Sequence, residues 1–102
     1  MEVLFLHSDI LKFIDRLDDA TYAEAFRLID MLSVKEHYIG MPHSKKIKKD
    51  IYELRVLSQQ HVRIFYTFHA GRAVLLHVIS KKSQKLPVRD IETAQKRLAT
   101  LQ

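Results

Sequence analysis

Cysteine is absent from the 102 residues, which excludes a disulfide framework and any thiolate-ligated metal site. Long apolar runs are missing too, and none approaches the roughly 20 residues that span a bilayer. The opening MEVLFLHSD has an acid where a secretory leader carries cations, and its apolar run is too short for one. A cytoplasmic protein with no membrane partner is therefore expected. No repeat, linker or low-complexity segment divides the chain, so a single domain over residues 1–102 is expected. One stretch also lacks acids: from Leu54 through Arg89 there is no Asp or Glu, yet seven Lys or Arg.

The sequence is 47% hydrophobic and 28% charged, as in ordinary soluble domains, so the distribution of charge is more informative than its total. Residues 1–36 carry eight acids and four bases, a net of −4, whereas residues 37–102 carry four acids and thirteen bases, a net of +9. An uncompensated basic half is the electrostatic footprint of a polyanionic partner.

The hydrophobic pattern changes period along the chain. EVLFL (2–6) has the length of a strand. Ser8 or Asp9 is then positioned to cap a helix whose apolar residues Ile10, Phe13, Ile14 and Leu17 follow helical spacing. Asp18 and Asp19 interrupt it, and Thr21 with Glu24 has capping-box spacing for a second helix with an apolar face of Tyr22, Ala25, Phe26, Ile29 and Leu32. Gly40 and Pro42 precede a lysine-rich loop. From Tyr52 to Ile79 the period is two, broken by SQQH and by Ala70-Gly71-Arg72, which predicts a three-stranded antiparallel meander. Pro87 suits the first turn of a last helix with Val88, Ile91, Ala94, Leu98 and Leu101 on its apolar face. The expected fold is α+β in the order βααβββα, with the helix hairpin on one face of the sheet.

Alternation sorts the strand residues between faces. One face gathers Tyr52, Leu54, Val56, Ile64, Tyr66, Phe68, Val74, Leu76 and Val78 as a core for the hairpin to cover. The other gathers Glu53, Arg55, Arg63, Phe65, Thr67, Leu75, His77 and Ile79. Two arginines beside aromatic and aliphatic groups suit a phosphate with a stacked base. Glu53 and Arg63 also have the spacing for a cross-strand ion pair, and Phe65, Leu75 and Ile79 can pack under the final helix.

These segments resemble the RelE/HigB superfamily of type II toxins, in particular its phage-derived HigB-like branch. The resemblance rests on Pro42 before Lys45-Lys46, on Tyr52-Glu53-Leu54-Arg55, on Arg63-Ile64-Phe65-Tyr66, and on Lys81-Lys82-Ser83-Gln84-Lys85-Leu86-Pro87, in order over roughly residues 40–95. It implies a small RelE-like fold and a ribosome-dependent mRNA endoribonuclease, held inactive by a helix-turn-helix (HigA-like) antitoxin. In such enzymes the ribose 2′-oxygen attacks the adjacent phosphate, so the protein supplies a base, cations for the phosphorus oxygens and a donor for the leaving oxygen. No metal or other cofactor is implied.

By the same resemblance Arg63 stabilises the transition-state phosphate and Arg55 shares or positions it. Lys81 or Lys82 binds the phosphate or protonates the leaving oxygen. Glu53 is either the base or the group that orients Arg63. The last helix lacks the Tyr or His that some relatives carry near the C-terminus, so His77 is a substitute on geometric grounds alone. Lys45, Lys46, Lys48, Lys49 and Lys85 would meet RNA phosphates through sequence-blind attraction. Two other readings stand beside it: a gyrase-inhibiting toxin of the ParE type, which shares the element order but has no need of Arg55, Arg63 and the lysine tail on one surface, and a non-catalytic RNA-binding relic.

Overall fold

The computed structural model describes residues 1–81, 83 and 85–102; Lys82, one of the two expected tail lysines, lies outside the described residues. Strand β1 (Val3–Phe5) leads into helices α1 (Ser8–Asp15) and α2 (Asp19–Lys35) and a 3-10 turn at Glu36–Tyr38. Strands β2 (Ser44–Lys48), β3 (Ile51–Leu57), β4 (His61–His69) and β5 (Arg72–Ser80) follow, and helix α3 (Val88–Ala99) comes last. The five strands form one sheet in the order β1-β5-β4-β3-β2, antiparallel except where β1 runs parallel to β5.

The lysine-rich segment is therefore a strand, where the sequence pattern suggested a loop. It lies at the sheet margin and pairs only with β3. Lysine is common on exposed margins because its charge discourages a further strand from adding there.

Helix starts also differ from expectation. The N-cap of α1 is His7, with no side-chain cap; Ser8 and Asp9 both lie inside the helix, and Asp9 is engaged by Arg97. The α2 cap is Asp18, whose carboxylate accepts from Thr21 N at 2.8 Å and Thr21 Oγ1 at 2.9 Å. A carboxylate one turn upstream thus displaces the Thr21–Glu24 box, and Glu24 pairs with Arg27.

One layer, between the helix hairpin and the sheet, packs Ile10, Ile14, Leu28 and Leu32 against Leu54, Val56, Ile64 and Tyr66. The other packs Ala94 and its α3 neighbours Leu98 and Leu101 against Ile51, Phe65, Val74 and Leu76. Strands β3 and β4 keep the expected alternation. β5 does not: Phe65 opposes His77 but Tyr66 opposes Leu75, so Leu76 is an extra residue in a β-bulge. Upstream of the bulge the parity is inverted, which moves Val74 and Leu76 under α3 and Leu75 under the hairpin. The β4–β5 turn is the two-residue Ala70-Gly71, with φ of 52° and 74°; two positive values match a type I′ turn and the sheet's twist.

No helix among the described residues is long and apolar enough to cross a membrane.

Candidate functional site

The strand register arranges the charged residues in rows across the face that α3 partly covers. Lys45, Glu53, Phe65 and His77 oppose one another in one row, and Arg55, Arg63 and Ile79 in the next. Just past the ladder, Lys81 N donates to His61 O at 2.9 Å. Rows along one face are two residues apart, roughly 7 Å. Alternation in β3 and β4, which have no bulge, is what brings Glu53, Arg55, Arg63 and Phe65 to one surface.

Two members are deeply set. Arg63 is 3% exposed and Glu53 is 5% exposed. Their Nε and Oε2 atoms are 3.6 Å apart, a diagonal ion pair between adjacent rows. Glu53 Oε2 is buried without a hydrogen-bond partner among the described residues, and Arg63 Nη1 donates over a long 3.5 Å to Val62 O. Burial pushes the Glu53 carboxyl above its ordinary range, against the opposing pull of Arg63, Arg55 and Lys45. Burial also lowers the pKa of the Arg63 guanidinium; Glu53 opposes this shift and the like charge of Arg55 adds to it. Arg55, half-buried and directly opposite Arg63, is the arginine nearer solvent.

His77 is held on two sides. Its Nε2 lies 2.8 Å from Asp90 Oδ1, and its ring stacks on Phe65 with centroids 5.9 Å apart and planes 13° from parallel. Asp90 sits in the first turn of α3. Sequence reasoning missed it, because only the docking of α3 brings it to β5; the sole signal was an acid immediately ending the acid-free stretch.

The lysines divide. Lys45 opposes Glu53, but Lys46 opposes Tyr52 and holds its ammonium 6.0 Å from that ring, on the hairpin side of the sheet. A bulge separates Lys46 from Lys48, and Lys49 lies in the β2–β3 turn. All four are exposed, as is Lys85, whereas Lys81 is half-buried. Lys81 lines a cleft of about 370 Å³ with Gln59, Gln60, His61 and Ser80, where β4 begins and β5 ends. Among the described residues no group of three or more His, Asp or Glu could hold a metal ion.

The arrangement therefore offers a buried carboxylate whose Oε2 is held by the Arg63 ion pair without a hydrogen bond among the described residues, two facing arginines at different depths, and lysines on β2 and just past β5. Such a set can accept a proton and hold an anion.

No curated protein matches the chain. A family model described as phage derived protein Gp49-like (DUF891) matches residues 12–99, a span that takes in both charged rows, the lysine strand and all three helices except the first turn of α1. The chain belongs to the phage-derived Gp49-like family, a RelE/HigB-like toxin family.

Proposed function

We propose that the protein is the toxin of a type II toxin–antitoxin pair and acts as a metal-independent endoribonuclease on translated mRNA. The observation that carries this reading is the Glu53–Arg63–Arg55 set: a buried carboxylate in an ion pair with Arg63, with no hydrogen bond to Oε2 among the described residues, beside two arginines that face each other across β3 and β4. In the proposed reaction Glu53 takes the proton of a ribose 2′-hydroxyl. The 2′-oxygen bonds to phosphorus, and the bond to the 5′-oxygen breaks, leaving a 2′,3′-cyclic phosphate and a 5′-hydroxyl. A carboxyl whose pKa is raised toward neutrality is a better base than an ordinary one. Arg55, nearer solvent, contacts the phosphate. Arg63 lies behind it, supplying charge to the phosphorus oxygens and holding Glu53 in place. Lys81 protonates the leaving oxygen, and His77 orients the row by its grip on Asp90. The lysines of β2 and Lys85 contribute a salt-sensitive attraction for ribosomal or messenger RNA. A HigA-like antitoxin silences the toxin by covering the arginine face or by bulk on the acidic helices.

The test is inducible expression of wild type, Arg55→Ala and Glu53→Gln in a bacterial host, with mRNA 5′ ends mapped soon after induction. Growth arrest with new cuts in translated messages, lost in both variants, supports the reading. Arrest with intact mRNA and a DNA-damage response points instead to a gyrase-directed toxin. The deep burial of Arg63 favours one further reading, a structural ion pair in a non-catalytic RNA binder; it predicts RNA binding without arrest or cleavage.

A further inference from the structure

A second hollow adjoins the cleft beside Lys81. It measures about 430 Å³ and shares Gln60 and Ser80 with that cleft, so the two form one groove. The groove wraps the end of the sheet, from the face under α1 to the face of the arginine rows. Its volume falls within the roughly 300–1,000 Å³ of small-molecule sites.

The wall on the α1 side is chemically mixed. Lys12 and Arg16 line it, both exposed and neither in an ion pair among the described residues. Phe13 and Leu17, half-buried, give it an apolar surface. Its one acid, Asp9, has both oxygens engaged by Arg97, at 2.9 and 3.4 Å. Gln60 is fixed by accepting from Asp18 N at 2.9 Å, which leaves its amide nitrogen to donate. Thus the acidic N-terminal third of the sequence presents a cationic wall here.

Cations beside an aromatic ring and an oriented amide match a nucleotide: phosphate on the charges, base on the ring, base edge to the amide. We infer that this groove is a nucleotide-binding subsite, with Lys12 and Arg16 holding a phosphate of single-stranded RNA and Phe13 and Leu17 supporting its base. The inference rests on the RNA reading of the arginine face and extends it. The RNA leaving Arg55 passes Lys81, one row further along the sheet (about 7 Å) and two strands across (about 10 Å), and then turns over Ser80 into the groove.

The experiment measures fluorescence anisotropy of an all-2′-O-methyl hexanucleotide, which lacks the attacking hydroxyl and so reports binding apart from cleavage. Arg16→Glu and Lys12→Glu should each weaken binding roughly tenfold at low salt. Each should also reduce the slope of log affinity against log salt by about 0.7, the value for one lost single-strand phosphate contact. Lys35→Glu, with the same charge change at the far end of α2, should stay within twofold. Arg55→Glu and Arg55→Gln separate the two ideas. Loss in the Arg55 variants, with Arg16→Glu no worse than Lys35→Glu, overturns the subsite and leaves the RNA reading standing. Loss in Arg16→Glu with the Arg55 variants unaffected sustains the subsite and removes the arginine face from RNA binding. Displacement of the oligonucleotide by hexaglutamate at equal concentration would make the groove an acidic-peptide site and overturn the nucleotide assignment.

Discussion

The two faces of the sheet bury similar strands under helices yet differ in kind. Under the helix hairpin the packing is aliphatic and aromatic, and its buried polar side chains are hydrogen-bonded, Tyr66 with Ser44 and Thr21 with Asp18. Under α3 an apolar patch from Ile51 to Ala94 sits beside the Glu53–Arg63 pair and the His77–Asp90 contact. The first face follows the rule that a buried polar group is hydrogen-bonded. The second leaves a carboxylate oxygen in an ion pair with Arg63 but without a hydrogen bond among the described residues, which costs stability.

The largest predicted effect tests that contrast directly. Arg63→Met leaves the Glu53 carboxylate buried without its countercharge and should lower the unfolding free energy by about 3–5 kcal/mol. Adding Glu53→Leu should restore stability to within about 1 kcal/mol of wild type. Urea unfolding of the two single variants and the double variant at neutral pH measures both. If Arg63→Met alone is harmless, the pair carries no energetic coupling and the contrast between the faces fails.

On the other face Tyr66→Phe removes one buried hydrogen bond and should cost about 1–1.5 kcal/mol. Burial pushes the Tyr66 hydroxyl up to about 12, with Ser44 opposing. Its absorbance change on ionisation should therefore appear only near that pH and be missing from the Phe variant.

A smaller effect is the pH dependence of the charged face. The Glu53 pKa is higher folded than its ordinary 4.5, so the native state binds the proton more tightly than the unfolded chain. The group's contribution is then fully present below pH 4.5 and is lost as pH rises through the raised folded value. Over that window Glu53→Gln should lose less stability than wild type with rising pH, read by thermal melts across the acid range.

The smallest effect leaves both faces intact. Ala70 has a φ of 52°, strained for any side chain but eased for asparagine. Ala70→Asn should raise Tm by a few degrees, for a gain of about 0.5–1 kcal/mol.

Much of this was legible because period-two patterning assigns faces wherever a strand is unbroken. It brought Glu53, Arg55, Arg63 and Phe65 together and anticipated the Glu53–Arg63 pair, though as a surface pair rather than the buried one found, because alternation gives the face of a residue and not how deeply α3 covers it. It failed at Val74, Leu75 and Leu76, since one inserted residue inverts every assignment beyond it and leaves no mark in composition. The lysine strand was hidden by the poor strand propensity of lysine, which a marginal position tolerates. The α2 cap shifted because Asp18 competes for the amide of Thr21. Asp90 was invisible for another reason: its partner His77 is on a different element, and no local pattern encodes how α3 docks.

The Leu76 bulge has a consequence for how the protein comes apart. An inserted strand residue strains the ladder, and here Arg97 of α3 donates to Leu76 O at 2.8 Å while the same guanidinium holds Asp9 of α1. One side chain thus joins the last helix, the irregular strand and the first helix. Helix α3 is then no detachable appendage. The sheet, α1 and α3 should lose amide-exchange protection together, as a single cooperative unit, and Arg97→Ala should split that unit by letting α3 fray first.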